Sequence, residues 1–420
     1  MSKALIVTVG GSDEPIVSFI KTHKDTTDFI YFICSGGKVP QASSPAVDDR
    51  INGKPQKKCR KCGTIIEESI SGKESIIKQS GYKDKYEKVE LNNPDDFDEV
   101  YKKTYETIEK AKQNYNEIIA DFTGGTKTMS SVLTMLAGLD FKIKLSLVKG
   151  RRKNTEKTSS DSIPIILNVD LPRSDSILKI ADILISKKLY YSACSILKDL
   201  LQEGLKQDIS EKVRHKYDCC HAFALWDSFE YDSAYNILNN YTKYYGDKFS
   251  YLLKILKKNK SSGYEPVFDL VSNAERQADN GYYDNATSRI YRALELFSQT
   301  LLIAKFQIDT SHLEKSSDKI NMEKWNKYKN EKGEIQIGLK LSYELLNELK
   351  DEIGEVYFNK KSEFIDNIKI RNDSKLAHGN SPISETDWKK IILFCKEYLK
   401  SCCQKIGINP EYPRLPDKIL

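Results

Sequence analysis

No apolar run in these 420 residues approaches the roughly 20 that a membrane-spanning helix needs. Met1-Ser-Lys followed by Ala4–Val9 is too short for a secretory leader and lacks a cleavage pattern. It reads as a first β-strand, and the location expected is cytoplasmic. Charge of one sign is also missing. Lys and Arg number 66 against 60 Asp and Glu, a net charge of +6. That is mild for a protein that grips nucleic acid by bulk electrostatics, though it permits an anionic ligand. The nine cysteines are mostly scattered, which argues against a disulfide framework and for a reducing compartment. The single Cys-x-x-Cys, Cys59 and Cys62, has no second pair to complete a zinc site, so no metal site is expected. His215 and His221 beside Cys219 and Cys220 have no ligand spacing and read as helix packing or surface. The C-terminal half shows no acidic cluster of the metal-nuclease kind.

What is present is enough apolar sequence, 39% of residues, for real cores, in a chain longer than the roughly 250–300 residues one core sustains. Near-continuous apolar runs at Ala4–Val9, Phe29–Cys34, Glu117–Asp121 and Ile143–Val148 predict a buried parallel sheet. Helices are expected at Glu14–Thr22, Pro94–Asn114 and Thr126–Leu139, and a last strand at Pro164–Val169. Ser35–Lys61 reads as a long insertion and Gly150–Asp161 as an exposed loop or hairpin tip. After Pro172 strand signals stop and amphipathic helices take over. Tyr190-x-x-Ala193-x-x-Ile196-Leu197 is echoed at Tyr231-x-x-Ala234-x-x-Ile237-Leu238, a spacing shared by helical-hairpin repeats and by an ordinary bundle. Ser261-Ser-Gly263 marks a linker. The expected fold class is therefore an α/β Rossmann-like domain over 1–172, an all-α helical middle over 173–262 and an all-α domain over 263–406. An irregular tail, 407–420, carries three prolines.

Two loops at strand ends carry the first chemistry. One is Val9-Gly10-Gly11-Ser12-Asp13-Glu14-Pro15; the other is Asp121-Phe122-Thr123-Gly124-Gly125-Thr126-Lys127-Thr128-Met129. Both would lie at the carboxyl edge of a parallel sheet, where open α/β sheets bind ligands. Free N–H groups at the following helix starts, with hydroxyls and Lys127, suit phosphates. A Walker A loop fails, because Asp121 and Thr126 stand where it needs glycines, and the dinucleotide G-x-G-x-x-G fails at both loops. These two motifs resemble the CARF domain of CRISPR-associated proteins, a Rossmann-like sensor of cyclic oligoadenylate. The resemblance covers about the first 170 residues. It implies a homodimer with a groove across its two-fold axis, and ligand contacts from Gly10, Gly11 and Ser12 and from Thr123, Gly124, Gly125, Thr126 and Lys127.

The second chemistry lies at Ile370-Arg371-Asn372-Asp373-Ser374-Lys375-Leu376-Ala377-His378-Gly379. If the helix continues, Arg371, Ser374, Lys375 and His378 share one stripe, with Gly379 and Pro382 as its stop. A His moves protons in RNA transesterification and an Arg holds the phosphate, so the chemistry requires no metal or other cofactor. The alternative is an Arg in a surface ion pair and a His capping its helix. The string resembles the HEPN ribonuclease motif, and Asn285–Glu295 resembles an early HEPN helix, in which Arg292 and Glu295 are spaced to pair. The resemblance covers about 265–405. It implies Arg371 and His378 as catalytic residues, Asn372 and Ser374 as their support, and a composite site between two protomers.

CARF, helical middle and HEPN in one chain are similar to the ancillary ribonucleases of type III CRISPR systems. The expected function is a homodimeric endoribonuclease of single-stranded RNA in antiviral defence, activated by cyclic tetra-adenylate first and hexa-adenylate second. The alternatives are a non-catalytic sensor or dimerisation protein, and a CARF pair that also degrades its own activator.

Overall fold

The computed structural model describes residues 2–37, 39, 42–49, 57–58, 65–67, 72, 74–150, 152–153, 156–157, 163–375 and 379–419. The chain forms two compact units, Met1–Leu178 with Gln202–Ser210, and Lys179–Leu201 with Glu211–Leu420. The three-part division above remains a proposal.

In the first unit six strands form one sheet. They are β1 (Lys3–Thr8), β2 (Phe29–Ser35), β3 (Lys85–Leu91), β4 (Glu117–Asp121), β5 (Ile143–Lys149) and β6 (Ile163–Ile166), in the order β6-β5-β4-β1-β2-β3. All pairings are parallel except β6 on β5. The unbroken apolar runs follow from burial on both faces. Ala4 and Ile6 of β1 face one cluster with Tyr31, Ile118, Val100 and Leu133. Leu5 and Val7 face the other, with Ile16, Phe19, Phe32 and Ile119. Helices α1 (Glu14–His23), α2 (Phe97–Asn114) and α3 (Lys127–Leu139) supply the covering side chains.

Two features depart from expectation. Lys85-Tyr-Glu-Lys-Val-Glu-Leu91 is a strand without an apolar run, because it sits at the sheet edge with β2 as its partner. Charges are tolerated there and guard against edge-to-edge pairing. The last strand ends at Ile166, three residues early, and runs antiparallel, with Ile163 and Ile166 exposed. Arg173 then fastens the end of α3: its guanidinium donates to the carbonyls of Gly138 (2.8 Å), Ala137 (3.0 Å) and Ile143 (2.7 Å). A helix C-terminus leaves such carbonyls without partners.

After the sheet come helices α4 (Asp170–Ser186), α5 (Tyr190–Leu201), α6 (Gln207–Asp227), α7 (Tyr231–Leu238) and α8 (Thr242–Ile255). They continue with α9 (Glu265–Asp279), α10 (Tyr283–Leu301), α11 (Leu339–Glu348), α12 (Glu352–Asn359), α13 (Lys361–Asn372) and α14 (Glu385–Lys405). Both halves of the sequence echo open a helix, at Tyr190 and Tyr231, and both bury the small Ala (Ala193, Ala234). The larger core joins α9 and α10 to α11–α14 through Phe268, Phe297, Trp325, Tyr343, Phe364 and Tyr398. Gly407 at φ 68° ends α14 as expected. The tail is irregular but docked. Tyr190 and Tyr251 hydroxyls donate to the carbonyls of Pro416 (2.6 Å) and Glu411 (2.9 Å), and Leu415 is buried. Among the described residues no helix is long and apolar enough to cross a membrane.

Candidate functional sites

Strand order reverses between β1 and β4, and the two loops of the first constellation leave these neighbouring strands at their carboxyl ends. The topology therefore brings together all eight residues singled out there, at the crevice where doubly wound sheets bind ligands. Their glycines meet backbone to backbone. A Cβ on Gly10 would lie 2.7 Å from the Gly125 nitrogen, and one on Gly124 would lie 2.3 Å from the Thr8 carbonyl oxygen. Gly125 takes φ +81°, a region that glycine enters without strain.

The hydroxyls do other work than expected. Thr123 accepts from the Val148 N–H (2.7 Å), tying the loop to β5. Thr126 caps α3 by accepting from the Met129 N–H (3.2 Å) and donates to the Pro94 carbonyl (2.9 Å). Thr8 donates to the Gly124 carbonyl (2.7 Å), and Ser43 to the Val9 carbonyl (2.8 Å). These contacts fix the loops. Gly11, Ser12 and Lys127 are exposed, with open space around Gly11. They are the groups that the crevice presents, beside the N-termini of α1 and α3.

In the second unit Arg371 is the penultimate residue of α13. The helix ends at Asn372, so it does not carry the expected stripe on through Ser374 and Lys375. Asp373 caps the end with its N–H to the Lys369 carbonyl (2.9 Å). The chain then folds back: the Lys375 N–H meets the Ser381 carbonyl (3.0 Å) and the Gly379 N–H the Ser374 carbonyl (3.0 Å). A Cβ on Gly379 would lie 1.8 Å from the Asp373 oxygen, so this close return excludes any other residue there. Ser374 is buried in it and bridged to Ser381, and its N–H donates to the Arg371 carbonyl (3.1 Å). His378 lies outside the described residues, as do Cys59 and Cys62.

Arg371 is half-buried. Its guanidinium carbon stands 4.6 Å from the centre of the Tyr291 ring on α10. Its Nη1 donates to Asn372 Oδ1 (3.2 Å). No carboxylate of a described residue pairs with it, which removes the surface ion-pair alternative. Burial pushes the Tyr291 phenol above its ordinary range, and the Arg371 cation pulls the other way. Arg371 and Tyr291 line a cavity of about 20 Å³ with Thr287, Asn367, Phe364 and Phe394. Three buried polar atoms in its walls have no hydrogen-bond partner: Arg371 Nε, Asn367 Oδ1 and Thr287 Oγ1. The volume holds about one water molecule. Arg292 pairs with Glu295 as spaced (2.6 Å) and also meets Gln299 (2.8 Å). No sequence signal marks Tyr291, Thr287 or Asn367, since a ring beside an arginine 80 positions away leaves no local pattern.

Among the described residues no group of three His, Cys, Asp or Glu side chains could hold a metal ion. His215 stacks on Tyr241 (4.8 Å) and His221 on Tyr217 (5.7 Å), the packing role read from the sequence.

A family model described as the Csm6 HEPN domain matches residues 256–401. Among solved structures, Enterococcus italicus Csm6 bound to cyclic hexa-2′-fluoro-hexa-dAMP matches with a TM-score of 0.58. Sequence identity is 11%, and the match covers 96% of this chain and 95% of that one. No curated protein sequence matches. Residues 256–401 thus carry a Csm6-type HEPN domain, and the whole chain takes the fold of the solved Csm6.

Proposed function

We propose that this CRISPR-associated protein is a homodimeric endoribonuclease switched on by a cyclic oligoadenylate. The observation that carries the reading is the Csm6 HEPN match, whose span includes both Arg371 and His378. Support comes from Arg371 itself, a half-buried cation that no carboxylate of a described residue pairs with and so available to a phosphate. At the other end, the crevice at the β1 and β4 loops offers backbone N–H groups, Ser12 and Lys127 to a ring of phosphates. Two protomers would give the ring two copies of these loops, matching its symmetry. The solved Csm6 is bound to a ring of six nucleotides, so cyclic hexa-adenylate is set beside cyclic tetra-adenylate as candidate activator.

In the proposed reaction the RNA 2′-hydroxyl attacks the adjacent phosphorus and the bond to the 5′-oxygen breaks. A 2′,3′-cyclic phosphate and a 5′-hydroxyl remain. His378 transfers the proton, and Arg371 stabilises the charge developing on the phosphate oxygens. The ring acts by binding the competent dimer more tightly than the idle one.

The test is cleavage of a fluorogenic single-stranded RNA in EDTA, with and without each ring. Cleavage that depends on the ring is expected. His378→Ala should abolish it while ring binding persists; normal cutting by that variant overturns the site. Lys127→Ala should move the activation curve to about tenfold higher ring concentration, the scale of one charged hydrogen bond.

A further inference from the structure

Arg371 has to present a planar guanidinium to a phosphate, yet its long side chain carries about 2 kcal/mol of rotamer entropy. A carboxylate would fix it at the cost of its charge. Here the fixing element is a ring. The guanidinium carbon lies 4.6 Å from the Tyr291 ring centre, and Tyr291 sits on α10, a helix packed directly on α13. A cation over an aromatic face is held electrostatically and keeps its full charge for a second, anionic partner. Asn372 Oδ1 takes Nη1 from the side, which sets the rotation of the plane. Arg371, Asn367 and Thr287 line the small cavity, their Nε, Oδ1 and Oγ1 have no partner among the described residues, and the volume has room for about one water. With the ring beside the guanidinium and the amide on Nη1, no described residue bonds Nη2, which leaves it for a phosphate.

We infer that Tyr291 is a positioning residue of the ribonuclease site, and that its ring holds the Arg371 guanidinium in the orientation that meets the transition-state phosphate. The inference rests on the ribonuclease reading above. It predicts that the ring matters and the phenolic hydroxyl does not. No described residue is recorded as hydrogen-bonded to that hydroxyl, which agrees.

The experiment measures kcat and KM for the ring-activated, full-length protein on a single-stranded RNA. The variants are Tyr291→Leu, Tyr291→Met, Tyr291→Phe and Arg371→Ala. Loss of a partly buried cation–π contact corresponds to about a tenfold effect. Tyr291→Leu and Tyr291→Met are expected to lower kcat about tenfold with KM changed by less than about twofold. Tyr291→Phe should restore the rate to within about twofold of the original. Two different ringless side chains guard against one that fails to fold, and retained activation by the ring at unchanged concentration confirms an intact protein. If Arg371→Ala is inactive while either ringless variant keeps the original kcat, the positioning role is overturned and the ribonuclease site stands. It is equally overturned if Tyr291→Phe falls as far as Tyr291→Leu. If Arg371→Ala cuts normally, the ribonuclease assignment itself fails.

Discussion

Arg371 and His23 show how a residue's surroundings set its chemistry. Arg371 keeps an unneutralised charge because its neighbours are a ring and an amide. His23 is the reverse case. Burial, followed by the nearby Lys3 ammonium (3.3 Å), holds its pKa below the ordinary 6.5. Since the unfolded chain takes up this proton more readily, folding stability is complete above pH 6.5 and falls as the pH drops through that value. The loss is complete once the pH is below the folded-state pKa. His23→Gln should therefore flatten the fall in urea-unfolding stability between about pH 7 and 5. An unchanged slope would show that other groups carry it. Neither environment is written locally: Lys3 and His23 are 20 positions apart, and the ring under Arg371 belongs to another helix.

At the scale of elements, glycine and helix ends decide where the sites stand. Gly10 and Gly11 are adjacent and alike in sequence, but only Gly10 faces backbone, 2.7 Å from Gly125. Gly10→Ala should cost about 1–3 kcal/mol through overpacking and displace the loops. Gly11→Ala, with nothing within 4 Å, should leave the melting temperature nearly unchanged. Equal melting temperatures for the two variants would refute this packing. Helices α1, α2 and α3 were legible to within a few residues because apolar spacing and the Thr126 cap act locally. The end of α13 was not. Asp373 and Ser374 are compatible with a continuing helix, and what stops it is the return of Gly379 onto Asp373, a contact beyond local propensity.

At the scale of the molecule, the tail changes from a loose end to a strap. Residues 411–419 bond Tyr190, Tyr251 and Lys254 and place Tyr412 against Phe268. Removing residues 411–420 exposes what Leu415 and Ile419 cover, both buried now. Two such side chains are worth about 3–6 kcal/mol, and the melting temperature of the second unit should drop by roughly 10 °C. An unchanged melting temperature would mean the strap is not stabilising. The sequence by itself determined the doubly wound sheet, the helical remainder and the residue types of both candidate sites, because periodicity and strand-end motifs are properties of neighbours along the chain. Only the tertiary structure decided that the Thr123 and Thr126 hydroxyls serve the fold and that Lys127, Ser12 and Gly11 face outward. It alone placed Arg371 on Tyr291. Hydrogen bonds and ring contacts between residues 25 and 80 positions apart exist only once the elements have packed, and it is packing that spends one hydroxyl and spares one cation.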